Sequence, residues 1–71
     1  MCKIIFTLKE YLDSRQITRY WLSKNSGVSM SAVENIYKNK TRRVDFSTLE
    51  KICSTLDCEI SDILHLVKGD E

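Results

Sequence analysis

The sequence predicts an all-α fold, a compact bundle of five helices, on three observations. Its 71 residues contain no proline, so no helix interior is barred by a missing amide. Apolar residues recur at helical spacing, as in Leu8, Tyr11 and Leu12 or Leu49, Ile52, Cys53 and Leu56, which gives each helix one inward face. Five segments open on a capping residue, and four of these carry the same apolar bracket around it. The length holds one domain, residues 1–71, with a core expected over about residues 7–67. A chain this short buries only about 60% of the surface its unfolded form exposes, so a deep catalytic pocket would compete with the core for the same residues. Function is therefore expected on the surface.

Taken in order, Thr7 opens the first helix, with Glu10 completing a capping box and Phe6 and Tyr11 as the hydrophobic staple. Thr18 opens the second between Ile17 and Leu22, Ser29 the third between Val28 and Val33, and Asp45 the fourth between Val44 and Leu49. Ser61 caps a short fifth helix carrying Ile63 and Leu64, without a staple because His65 holds the fourth position after it. The helices should end near Ser14 to Gln16, Asn25, Lys38 or Asn39, and Leu56. Nothing reads as a hairpin. Lys3 to Phe6 is open to two readings, a short edge strand or the lead-in to the first helix.

The net charge of +1 hides an asymmetry. Arg15 to Arg43 holds seven basic residues (Arg15, Arg19, Lys24, Lys38, Lys40, Arg42, Arg43) against Glu34, a net of +6. Val44 to Glu71 holds two basic and seven acidic residues, a net of −5, and the first fourteen residues balance. A local electropositive surface of this kind suits a polyanion. Three cysteines, Cys2, Cys53 and Cys58, form no C-x-x-C pair, and are read as reduced thiols packed as small hydrophobes. A metal site from Cys53, Cys58 and His65 lacks a fourth ligand and is not expected. Ile4-Ile5-Phe6 is far too short for a signal-peptide core or a membrane span, so a soluble, intracellular protein is expected.

Asn25-Ser26-Gly27-Val28-Ser29 is the most informative stretch. Gly27 stands where a helix end wants a left-handed residue, Val28 can return to the core and Ser29 at once caps the next helix. Ser23 is small enough to let the two helices approach. Two helices joined by a three- or four-residue turn containing glycine describe a helix-turn-helix, although a plain helical hairpin would use the glycine too. With Ala32, Val33, Ile36 and Tyr37 inward, the third helix shows Met30, Ser31, Glu34, Asn35 and Lys38 outward, followed directly by Lys40, Arg42 and Arg43. A polar helix beside a cationic loop fits the major groove of a duplex, about 12 Å wide, with the loop neutralising phosphates.

These residues resemble the Cro and phage-repressor (Xre-like) family of helix-turn-helix regulators. The resemblance runs from about Leu8 to Leu64, through Leu12, Thr18-Arg19-Tyr20-Trp21-Leu22-Ser23, Ser26-Gly27-Val28-Ser29, Val33, Ile36-Tyr37-Lys38-Asn39-Lys40, Leu49-Glu50-Lys51-Ile52-Cys53, Leu56-Asp57-Cys58 and Asp62-Ile63-Leu64. It implies a lambda-repressor-like bundle of five helices and a cytoplasmic, bacterial or phage-encoded regulator. Such a regulator represses or activates transcription by binding a double-stranded operator, usually as a homodimer; a repressor is expected here, with no cofactor. It also implies base reading by Met30, Ser31 and Ala32, with Asn35 one turn on, and a phosphate or base contact by Arg19 where the family often has glutamine. Met30 replaces a more usual polar side chain and offers only apolar contact, such as to a thymine methyl. Asn39 stands where the family often has a glycine closing the third helix, and asparagine tolerates that conformation.

Each candidate has a plainer alternative. Ser31 can donate to a base or phosphate, or be a solvated hydroxyl. The Asn35 amide can pair bidentately with adenine, worth about 1 to 3 kcal/mol of discrimination, or do nothing. Glu34 can accept from cytosine, though a carboxylate there more often repels phosphate. Arg19, Ser29, Lys38, Lys40, Arg42 and Arg43 are the phosphate candidates; the loop cations have solvation as their alternative. Leu22 already supplies the inward residue of the second helix, so Trp21 and Tyr20 cannot both be fully buried, and Trp21 could serve packing, a protein partner or the DNA backbone. Candidate dimer surfaces are Ile4 to Phe6 and the region of Leu64 and Leu66. The competing function is a protein-interaction module or antitoxin-like partner that keeps the fold, with Trp21 as its anchor. An enzyme is not expected: one histidine, no P-loop, no H-E-x-x-H and no serine paired with a base leave nothing to perform chemistry.

Overall fold

The computed structural model describes residues 2–69. The order is β1 (Cys2–Phe6), α1 (Leu8–Ser14), α2 (Arg19–Ser26), α3 (Met30–Tyr37), α4 (Phe46–Leu56), a short 3-10 helix (Ile60–Asp62) and β2 (Leu64–Lys68). Leu8, Leu12, Leu22, Val33, Ile36, Ile52 and Ile63 fill the centre, with Phe6, Val28 and Leu49 closing it. All four staple pairs lie in or against this core: Phe6 and Tyr11, Ile17 and Leu22, Val28 and Val33, Val44 and Leu49. α2 packs against both α3 and α4, so the two helices of the expected motif are held from behind.

The all-α expectation of five helices needs correction. The described residues hold four α-helices and a two-stranded antiparallel sheet, in which Phe6 faces Leu64, Ile4 faces Leu66 and Cys2 faces Lys68. Ser61 does not cap a fifth α-helix. Glu59 caps a single turn instead: its side chain and that of Asp62 each accept from the other's backbone amide. The chain then buries Ile63 and turns extended. Leu64 and Leu66 alternate with His65, and the edge of β1 offers them a backbone partner that a helix of one or two turns could not match.

The Thr7–Glu10 capping box does not form either. The Thr7 amide donates to the Ile63 carbonyl at 2.8 Å and its hydroxyl to the Asp62 carbonyl at 3.1 Å. The amide that Glu10 would cap is thus taken by Ile63, and the Thr7 backbone (φ −110°, ψ 27°) lacks the extended form of an N-cap, so its hydroxyl makes no cap bond and turns to the entrance of β2. The other helices begin as expected, α2 and α3 with side-chain caps and α4 after an extended Asp45 whose carboxylate makes no cap bond.

Asn39 holds the sheet to the motif. Its φ of 58° is the left-handed value that ends α3, as the resemblance implied. Its side chain does more: Oδ1 accepts from the Phe6 amide at 2.7 Å and Nδ2 donates to the Phe6 carbonyl at 2.8 Å. The carboxamide stands in for the peptide of a neighbouring strand. Asn39→Gly keeps the backbone conformation and removes both bonds, so we expect a loss of about 1 to 3 kcal/mol in urea unfolding together with fast hydrogen exchange at the Phe6 amide.

Candidate nucleic-acid interface

The corner between α2 and α3 is built locally. The Thr18 hydroxyl accepts from the Trp21 amide at 3.0 Å to start α2, and Leu22 anchors it in the core. Gly27, at φ 82°, closes it through its amide to the Ser23 carbonyl. A side chain at Gly27 would meet nothing within 4 Å; the requirement there is for backbone conformation alone. The Ser23 hydroxyl donates to the Val28 carbonyl at 2.7 Å, and the Val28 amide donates to the Ser26 hydroxyl at 3.2 Å. Ser23 therefore latches the corner as well as giving it room. Ser29 accepts from the Ala32 amide at 3.2 Å, which leaves its hydroxyl proton free to donate outward.

Burying Val33 and Ile36 leaves Met30, Ser31, Asn35 and Lys38 on the exposed side of α3, with Ala32 half-buried against the core. Met30 keeps 37% of its surface open. Glu34 stands between cations. Its Oε1 accepts from Arg19 Nη1 at 3.0 Å and lies 3.3 Å from Lys38 Nζ. The arginine also stacks on Tyr37, 4.5 Å from the ring centroid. The sequence offers Glu34 as a base acceptor or a repellent, whereas in the fold it aims Arg19 across the α2–α3 junction. Behind it the Tyr37 hydroxyl donates to Asp13 at 2.9 Å. That bond, then Lys9, holds the Asp13 carboxyl below its ordinary value, and the same bond, then burial, raises the Tyr37 phenol, so a neutral donor faces a charged acceptor at neutral pH.

The loop after α3 is tied by Lys40 N to Asn35 O at 2.8 Å and by the Thr41 hydroxyl to the Arg43 carbonyl at 2.6 Å. Arg43 and Asn35 line one recess together with Ala32, Thr41 and Thr48. The reading helix and a loop cation therefore open onto a common space. Lys40 and Arg42 line a different one, the groove between this loop and β1, which Arg43 also borders. Arg42 and Arg43 are exposed and make no ion pair among the described residues. No ion pair joins them to an acidic side chain in the described C-terminal part, although Asp45 lines the same recess as Arg43.

Trp21 is 43% exposed and Tyr20 is more open still, with Lys24 over its ring. Cys53 and Cys58 are partly buried free thiols packed against the core. Burial and the neighbouring Cys53 push the Cys58 thiol up to about 11, so it is protonated at neutral pH. His65 is exposed on β2, and no three ligand-type side chains gather among the described residues. None of the described helices is long and apolar enough to cross a membrane.

A glycine corner, a helix with a polar outer stripe and an adjoining cationic loop define the helix-turn-helix class of DNA-binding domain. Residues 7–69 match the family model of the Cro/C1-type HTH DNA-binding domain, and the chain belongs to that family. It is also 33% identical over 68 residues to the uncharacterized HTH-type transcriptional regulator YozG of Bacillus subtilis (strain 168), covering 96% of this chain and 80% of that protein. No solved structure matches. The family is one of DNA-binding regulators rather than a class of enzymes.

Proposed function

We propose that the chain is a cytoplasmic, sequence-specific repressor that binds a double-stranded operator as a homodimer, with α3 in the major groove. Met30, Ser31, Ala32 and Asn35 meet base edges; Arg19, Ser29, Lys38, Lys40, Arg42 and Arg43 meet phosphates. The observation that carries this reading is Asn35, on the polar stripe of α3, sharing a recess with Arg43 while the opposite side of the helix is buried. Exposed Ile60, in a recess it lines with Cys53, Cys58 and Leu64, supplies apolar surface for a second copy, which a short recognition helix needs if two half-sites about 34 Å apart are to be read together. Selection from random duplexes followed by sequencing tests it. A palindromic motif is expected, and a flat selection at low salt overturns the reading in favour of an interaction module anchored on Trp21.

Glu34 tunes this interface by neutralising two cations. Glu34→Gln removes a negative charge from the phosphate-facing side and releases Arg19 and Lys38. Duplex affinity should rise by about 2- to 10-fold, with a steeper salt dependence, in titrations at three salt concentrations.

A further inference from the structure

A groove lies between β1 and the loop after α3, with a strand edge as one wall. In an antiparallel pair, backbone groups point alternately toward the partner strand and away from it. Thr7 reaches toward β2, bonding Ile63, and Phe6 reaches away, bonding Asn39. By the same alternation Lys3 and Ile5 pair with Val67 and His65, while Ile4 points its amide and carbonyl into the groove. Ile4 has no other partner there among the described residues, and its side chain is 64% exposed. Asn39 has already added one peptide-like unit to this edge, and the next position along it stands open.

The walls say what would fill it. Beneath the edge lie apolar Val44 and Leu49; around it stand Lys3, Lys40, Arg42 and Arg43. The described part of the groove's lining carries no acidic side chain. A second copy offering the same edge would bring its own cations against these. Duplex DNA has no row of amides and carbonyls to pair with Ile4 and nothing to cover the apolar floor.

We propose that this groove binds an extended acidic peptide segment of a protein partner, added to β1 as a third strand. Its backbone pairs with Ile4 beyond the Asn39 carboxamide, its apolar side chains lie toward Val44 and Leu49, and its carboxylates meet Lys40, Arg42 and Arg43. Because the same cations are the phosphate anchors assigned above, the segment would displace DNA. That displacement rests on the DNA-binding reading; the binding itself does not.

The test uses the full chain, isotope-labelled, and a capped hexapeptide alternating glutamate and valine. Saturable amide shifts at Ile4 and Arg42, with hydrogen exchange at Ile4 slowed by about ten-fold or more, are expected at peptide concentrations up to about 1 mM. Arg42→Glu should weaken the binding by about five-fold or more, and so should N-methylation of alternate peptide amides, which removes the ladder bonds. No binding, equal binding of the N-methylated peptide or of a lysine–valine counterpart, or shifts confined to α3 would each overturn the proposal. In a parallel arm the peptide should release a selected duplex. If peptide binds and duplex stays on, competition is refuted; if peptide binds and no duplex can be selected, the groove stands and the DNA reading falls.

Discussion

Replacing Arg42 and Arg43 together by alanine should lower duplex affinity by on the order of 10- to 100-fold near physiological salt, with little change in thermal stability. Both side chains are exposed and free of ion pairs among the described residues, so their removal leaves no buried charge unpaired. A cation that no longer neutralises its phosphate no longer frees the counterion condensed there. If the wild-type chain neutralises about four to six phosphates, log K should fall against log salt with a slope of about −4 to −5, and the double variant should be shallower by about 2. Affinity measured at several salt concentrations checks both quantities. An unchanged slope would mean that the loop stands clear of the backbone, and would leave α3 and Arg19 as the only anchors.

Ile52→Ala should be among the most damaging single truncations for the fold. Ile52 is fully buried in α4, the helix that backs α2 and through it the corner. Removing a buried isoleucine side chain to the β-carbon costs about 2 to 5 kcal/mol, from lost transfer energy and from the cavity left behind. A domain of this size has about 4 to 10 kcal/mol in total. The midpoint of thermal unfolding should drop by roughly 10 to 30 °C. Duplex binding at low temperature should survive in whatever fraction remains folded, because Ile52 touches no surface proposed to meet DNA. Circular dichroism melts and cold binding assays separate the two effects.

The parts of the molecule that were legible in the sequence are those decided locally. Thr18, Gly27 and Ser29 place the corner because a cap, a left-handed residue and a second cap act within a few residues of one another. Val33 and Ile36 place the polar stripe of α3 because helical periodicity dictates the opposite side. What escaped was decided at long range. Thr7 looks like the first member of a capping box until Ile63 and Asp62 take its polar groups. Leu64 and Leu66 look like the end of a helical pattern until Ile4 and Phe6 offer a partner strand; the alternation Leu64-His65-Leu66 was the available signal, too short to outweigh a serine cap. Glu34 is four residues from Lys38, a spacing that predicts an ion pair on a helix, yet its bond to Arg19 depends on how two helices cross. The backbone conformation of Asn39 follows from its place at a helix end, while its side chain is used by a strand at the other end of the chain.

The sheet joins the earliest and latest described segments of the chain, Cys2 opposite Lys68. β1 precedes the four helices and β2 follows them, so the two strands can pair only once the intervening chain has been made. Closing this ribbon is therefore expected to follow assembly of the helices, whose contacts span shorter loops. Cys2 and Lys68 then lie side by side, so a fluorophore pair attached there would report this step separately from helix assembly.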